Sequence, residues 1–297
     1  MSAGTRGLRG SSVAILESLY QHRLLSTRQV HDLHTPKATA RFAQETLVDL
    51  RAASLVDRVV RPGGLGVWFL TSGGIEMVEE IPNRVETRRT SISPERAAGP
   101  LQAHTLAVND VGVGFVRLAR ERGEEFGPFG WRHEIAHPLT PPGKRQERLI
   151  ADAILSYQAN EKGATRFHYR FIEVDRANRP VDDLAAQIGR YGRLYRRPSN
   201  GRHAALHWTR RYRVFPNVLV LLAGRPDPNL ERRRATLLAL CRADPDLARS
   251  PELQVFVCLL PELKRHGPAA TIFRTVTEPD RPADWLGRRP TGQGERP

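Results

Sequence analysis

Three acids lie in runs that read as β-strands. Asp152 sits within Leu149-Ile150-Ala151-Asp152-Ala153-Ile154-Leu155, and Glu173 and Asp175 end the run Phe171-Ile172-Glu173-Val174-Asp175. Strand side chains alternate, so residues two apart share a face and Glu173 and Asp175 are predicted side by side. If the two strands are neighbours, three carboxylates converge, and such hard oxygen ligands suit Mg²⁺ or Mn²⁺. An ion held there could activate water at a phosphodiester. The alternative is that each acid is solvated or paired with a nearby arginine, Arg170 or Arg176.

The helix that follows carries Gln187 and Tyr191 at i, i+4, in line with Leu184, Ile188 and Leu194, so polar groups interrupt an apolar stripe. A buried glutamine needs a partner. Arg190, Arg193 and Arg197 fall at i, i+3, i+7, and from Leu184 to Pro226 there are nine arginines and no acid. That is a candidate phosphate-binding surface, although a solvated arginine face would read the same.

A second chemistry is spelled by His133-Glu134-Ile135-Ala136-His137, which matches H-E-x-x-H, two zinc-binding histidines with a general-base glutamate. That zinc metalloprotease geometry needs a helix. Gly130 precedes the pentapeptide and Pro138 follows it, and a residue before proline avoids helical geometry. A strand is predicted instead, with Glu134 pointing away from both histidines and standing at the margin of the acidic site. No Gly-rich loop ends in Gly-Lys-Ser/Thr, so nucleotide hydrolysis has no support.

Two sets of elements must position these residues. Residues 1–11 are Gly/Ser/Arg-rich and predict a disordered tail. Val13, Leu16, Leu19 and Tyr20 mark a first helix, Ser26 with Gln29 forms a capping box for a second, and Pro36 is expected at the start of a third that runs to about Ala53. On that third helix Ala43, Leu47, Leu50 and Ser54 share one arc, and Lys37, Arg41, Gln44, Val48 and Arg51 the opposite one. Strand-like runs at 55–61 and 66–70 flank Pro62-Gly63-Gly64-Leu65, a hairpin signal. Three helices and a hairpin predict a winged helix over 12–82.

The stretch 83–100 lacks periodicity and predicts a linker. Residues 101–276 read as helix, three strands, an amphipathic helix, a strand, a helix and a strand, hence a mixed sheet with helices on both faces. Residues 277–297 are Pro/Arg/Gly-rich and predict a second disordered tail.

The order Asp152, Glu173-x-Asp175, Gln187-x-x-x-Tyr191 resembles the PD-(D/E)XK, restriction-endonuclease-like fold. The whole arrangement is similar to the replication-relaxation family, whose members pair an N-terminal winged helix ending in a phrase like Trp68-Phe69-Leu70-Thr71-Ser72-Gly73-Gly74 with a His104-Thr105-Leu106-Ala107-Val108-Asn109-Asp110 helix. A W-x-x-E phrase (Trp131 to Glu134), a P-D-A phrase and an E-x-D-R phrase follow, and the likeness covers roughly residues 12–275. It implies a role in plasmid replication and DNA relaxation or mobilisation. Two positions depart from the patterns: Ala151 stands where a proline precedes the aspartate, and Asp175 where the nuclease lysine would follow Glu173. That lysine stabilises charge developing at phosphorus; without it, Arg176, Arg190 or Lys162 would have to substitute, or the nuclease is inactive.

Composition agrees with a polyanionic partner. The formal charge is +14 over 297 residues. The bases comprise 42 Arg and 4 Lys, a bias typical of GC-rich coding, so part of the charge reflects composition rather than function. Two cysteines, 17 residues apart, make no disulfide framework and fit a reducing cytoplasm. No run is apolar enough for a signal-peptide core or a membrane span. The fold class expected is α/β within α+β overall, a winged helix followed by a restriction-endonuclease-like sheet domain. Lys37, Arg41, Gln44 and Arg51 would enter the major groove and Arg58 and Arg61 would hold phosphate from the wing, or the winged helix would instead mediate protein contacts. Asp152, Glu173 and Asp175 are the candidate Mg²⁺ or Mn²⁺ ligands, with Gln187 and Glu134 as further catalytic candidates. Partners expected are double-stranded DNA, a second copy of the chain, and replication or conjugation proteins, with no membrane. The leading reading is a DNA-binding replication, relaxation or mobilisation protein on a degenerate nuclease fold; the alternative is an active Mg²⁺-dependent nuclease or nickase.

Overall fold

Capping chemistry sets the first elements. The computed structural model describes residues 10–60, 66–81, 92–99, 101–140, 146–161, 163–198 and 206–289. Helix α1 (Gly10–His22) buries Ile15, Leu16 and Leu19, and a two-residue strand β1 (Leu25–Ser26) leads into α2 (Thr27–His34). Ser26 and Gln29 close the predicted box reciprocally: the Gln29 amide donates to Ser26 Oγ at 3.1 Å and Ser26 N–H to Gln29 Oε1 at 3.0 Å.

Helix α3 (Ala40–Ala52) starts four residues later than Pro36, because Thr39 caps it by accepting from the Phe42 amide at 3.3 Å. Lys37 therefore lies in the turn before the helix. Ala43, Leu47 and Leu50 are buried as expected, but Ser54 lies beyond the helix end, exposed, with φ +59. Strands β2 (Val56–Val60) and β3 (Gly66–Leu70) pair antiparallel with Arg58 opposite Trp68, and β1 adds to β3, giving the order β1-β3-β2. Helix α4 (Ser72–Glu79) is capped by Thr71, whose hydroxyl donates to Ser54 O at 2.6 Å and accepts from Gly74 N at 3.1 Å. Gly74 is required there: a Cβ would stand 2.0 Å from Leu55 O.

A short helix α5 (Pro94–Ala98) falls inside the predicted linker, and α6 (Leu101–Arg122) follows it. The contact pattern divides the chain into residues 1–117 with 127–132, and residues 118–126 with 133–297. The division thus falls inside α6 rather than at 83–100. Continuity of the helix hides it from a reading of composition.

The second unit is built on a six-stranded mixed sheet ordered β4-β5-β6-β7-β8-β9. Its strands are β4 (Trp131–Pro138), β5 (Arg148–Glu161), β6 (Ala164–Asp175), β7 (Asn217–Leu222), β8 (Val255–Leu259) and β9 (Arg274–Thr275). β5 and β6 run antiparallel, β6, β7 and β8 parallel, and β9 antiparallel to β8. Between them lie α7 (Val181–Arg196), α8 (Asp227–Ala243), α9 (Pro245–Ala248) and, after β8, α10 (Leu260–His266). Phe171, Val218 and Val220 of the sheet share one buried cluster with Leu184, Ile188 and Leu194 of α7 and Leu230 and Leu237 of α8. Burial of this apolar face is what fixes the strand register. The overall class is α+β.

The C-terminal expectation fails where the chain returns to the sheet. Trp285 is fully buried, its ring edge-on to Tyr157 at 4.9 Å and under the Arg170 guanidinium at 5.0 Å. A lone tryptophan in a Pro/Arg-rich stretch has no periodicity to announce it. Among the described residues no helix is long and apolar enough to cross a membrane.

Candidate functional site

The acids of β5 and β6 meet as the alternation demands. Ala153 pairs with Ile172 across the antiparallel ladder, and one further step sets Asp152 opposite Glu173. Asp152 Oδ2 accepts from the Val174 amide at 2.7 Å. Glu173, only 3% exposed, lies under α7, where the Tyr191 hydroxyl donates to its Oε1 at 2.5 Å and the Gln187 amide at 3.4 Å. The predicted Gln187 and Tyr191 thus find their partner in one carboxyl.

Electrostatics follow from that burial. Desolvation first, then the adjacent Asp152, pushes Glu173 up to about 8, while hydrogen bonds from Tyr191 and Gln187 and the charge of Arg179 pull the other way. The Tyr191 hydroxyl is held well above its ordinary range by burial and by Glu173. The raised value favours the protonated form of Glu173 at neutral pH.

Asp175, two residues on and on the same face, has a different fate. Arg233 of α8 donates from Nε to its Oδ2 at 2.6 Å, Ala177 N–H donates to the same oxygen at 3.2 Å, and Arg179 Nε stands 3.8 Å from Oδ1. Its lone pairs are directed at arginines, not into a shared coordination sphere with Asp152 and Glu173. The three-carboxylate arrangement expected for Mg²⁺ or Mn²⁺ does not fit: Asp175 is captured by Arg233, and among the described residues no three His, Cys, Asp or Glu side chains are grouped to hold a metal.

Glu134 is exposed on β4, with its backbone at φ +50. β5 intervenes between β4 and β6, and the groups acting on Glu173 are Asp152, Tyr191, Gln187 and Arg179. The H-E-x-x-H reading is excluded by geometry, since the pentapeptide is strand, and His137 engages Tyr212 Oη at 2.8 Å through Nε2 and Ile135 O at 3.1 Å through Nδ1. Burial drives His137 down to about 4, so the ring is neutral.

The arginines of α7 and its C-cap Arg197 sort into two roles. Arg190 reaches Gln187 Oε1 at 3.1 Å and Arg148 O at 2.9 Å, and both Arg190 and Arg193 contact Glu147. Arg197 is 6% exposed and donates to Pro138 O and to Thr140 O. Of the stand-ins for the nuclease lysine, Arg190 is thereby occupied, and Lys162 lies outside the described residues.

In the first unit the outer face of α3 carries Arg41, Val48 and Arg51, all exposed. Arg41 pairs with Glu45 at 2.7 Å and Arg51 with Asp57 at 3.0 Å. Gln44 is half-buried, its amide oxygen accepting from Thr27 Oγ1 at 3.1 Å, while Trp68 Nε1 donates to the same hydroxyl at 2.9 Å. The Arg58 guanidinium lies 5.7 Å from the Trp68 ring. Arg61 lies outside the described residues.

The phrases that carried the family resemblance hold this unit together. The fully buried Asn109 donates to Leu24 O at 2.7 Å and accepts from the Trp131 indole N–H at 3.3 Å. Asp110 accepts from the Gln29 amide at 2.7 Å. A Cβ on Gly112 would meet the Trp131 ring at 2.4 Å. Buried polar groups satisfied in this way fix helix and strand against each other.

A family model described as Replication-relaxation matches residues 16–207. None of the curated proteins matches the chain. Among solved structures the chain is similar to the crystal structure of protein VC1899 from Vibrio cholerae, at 12% identity and a TM-score of 0.31, over 86% of this chain and 49% of that one. The chain thus spans about half of that protein, and a likeness so distant carries no argument.

Proposed function

Since the chain belongs to the replication-relaxation family, whose name points to a role in replication or relaxation, we propose that it acts as a DNA-binding protein whose sheet domain is a nuclease-like scaffold without cutting chemistry. The N-terminal helices and hairpin are read as a winged helix, with α3 entering the major groove and Arg58 at the hairpin contacting backbone. The supporting observation is the placement of α3. Its inner face is buried on Ala43, Leu47 and Leu50, and its outer face offers Arg41, Val48 and Arg51 beside the hairpin strand that carries Arg58. The ion pairs Arg41–Glu45 and Arg51–Asp57 are exposed and cheap to exchange for phosphate or base contacts.

A phosphodiesterase of this design needs a cation at the developing charge as well as a metal. Here the position of that cation is Asp175, itself tied to Arg233. Duplex binding by Arg41→Ala combined with Arg51→Ala, followed by fluorescence anisotropy, tests the reading. Affinity is expected to fall at least about tenfold, in keeping with the loss of two DNA-contacting arginines. Unchanged affinity in the double variant would remove α3 from the interface.

A further inference from the structure

A cavity of about 370 Å³ opens where the C-terminal end of α7 meets the segment after β4 and the start of α9, walled by Leu139, Arg193, Arg196, Arg197, Pro198 and Asp246. Three of its six lining residues are arginines. The charges do not balance locally. Asp246 is shared by Arg196, Arg193 and Arg249, while Glu147 is shared by Arg190 and Arg193. Four guanidinium groups therefore share two carboxylates, and Arg197 adds a fifth without one.

Arg197 is the costliest of the five. It is buried, its two terminal nitrogens go to the carbonyl oxygens of Pro138 and Thr140, and no carboxylate partner for it is found among the described residues. The Nε atoms of both Arg196 and Arg197 are buried without a hydrogen-bond acceptor. An unneutralised buried cation and two orphaned donors beside an open cavity are expensive to keep. A bound anion offsets both costs, and planar guanidinium groups match the oxygens of phosphate.

We propose that this cavity seats a phosphate group of a DNA backbone, with Arg196 and Arg197 as the principal donors and Leu139 and Pro198 against the adjoining sugar. The site lies wholly within the second unit. It rests on the DNA-binding reading for the source of the phosphate, and not for the existence of the anion site. Burial holds the Arg197 guanidinium below its ordinary range, and phosphate would restore it.

The experiment is a salt series of duplex binding by the full chain, comparing wild type, Arg196→Gln, Arg196→Lys and Arg197→Gln, beside titration of inorganic phosphate into wild type while the arginine Nε–H resonances are followed by NMR. Arg196→Gln is expected to weaken duplex binding and to lower the slope of log K against log salt by about 1, the share of one phosphate contact. Arg196→Lys is expected to restore much of the slope. Phosphate is expected to shift the Nε–H signals of Arg196 and Arg197 in wild type, a readout that does not depend on how any variant folds. Unmoved signals would overturn the site. Signals that shift with phosphate while the duplex slope stays the same would overturn DNA as its source and leave a pocket for a small phosphate. Loss of duplex binding in Arg41→Ala plus Arg51→Ala reports on α3 alone, so the two readings fail separately.

Discussion

Glu173 and Asp175 stand two residues apart on one face of one strand, yet their surroundings differ completely. Glu173 faces α7, where its neighbours are a tyrosine hydroxyl, a glutamine amide and a second carboxylate, and it is driven toward neutrality. Asp175 faces α8 and α7's leading loop, where Arg233 and Arg179 hold it as an ion pair. What separates them is the helix that covers each. A strand pattern can bring acids together, but the elements packed above the strand decide whether they remain ligands, become a proton-holding pair, or turn into structural anions.

The contrast is broken most severely at the Asp175 end. Asp175→Ala strands a mostly buried Arg233 and is expected to cost about 3–5 kcal/mol of stability, read by urea denaturation, because the remaining charge has no counter-ion. A loss near zero would mean that Asp175 is replaceable by water.

At the Glu173 end the effect appears as pH dependence. Below 4.5 the carboxyl is protonated in both folded and unfolded chains; between 4.5 and about 8 the unfolded chain ionises while the folded one keeps its proton. Stability is thus expected to fall as pH rises through that window, by on the order of 2–4 kcal/mol, and to level off above it. Glu173→Gln mimics the neutral form and should flatten the slope while staying close to wild type at low pH. An equal slope in both proteins would show that Glu173 ionises normally.

Tyr191→Phe sharpens the same point on a smaller scale. It removes the donor to Glu173 and leaves a buried acceptor under-satisfied, at about 1–3 kcal/mol. It should also move the pH-dependent fall to still higher pH, since that hydrogen bond favours the ionised form. Smallest of all is the effect of metal: millimolar Mg²⁺ or Mn²⁺ is expected to leave the melting temperature unchanged, whereas a saturable rise would show a site the geometry does not provide.

Much of this region was legible in advance because it depends on short-range periodicity. Period two placed Glu173 and Asp175 together, and i, i+4 spacing placed Gln187 over Tyr191 on the covering helix. The pre-proline residue His137 and the preceding Gly130 marked the H-E-x-x-H run as strand. What could not be read were partners far away in the chain. Arg233 is 58 residues from Asp175, one arginine among 42, and only the topology brings α8 beside the end of β6. Likewise Trp285 is known as core only once it is seen against Tyr157 and Arg170. The Asn109–Trp131 bond shows a further limit: a family phrase marks residues that matter without saying whether they matter for chemistry or for packing.

The central claim is that this family member binds DNA on a nuclease-like scaffold that does not cut. Incubation of the purified chain with supercoiled plasmid in Mg²⁺ or Mn²⁺, beside Asp152→Ala and Glu173→Ala, with gels run before and after proteolysis, tests it most directly. The account predicts a mobility shift equal in all three proteins, abolished by proteolysis, with the plasmid still supercoiled. Nicks that survive proteolysis and vanish in both variants would contradict it.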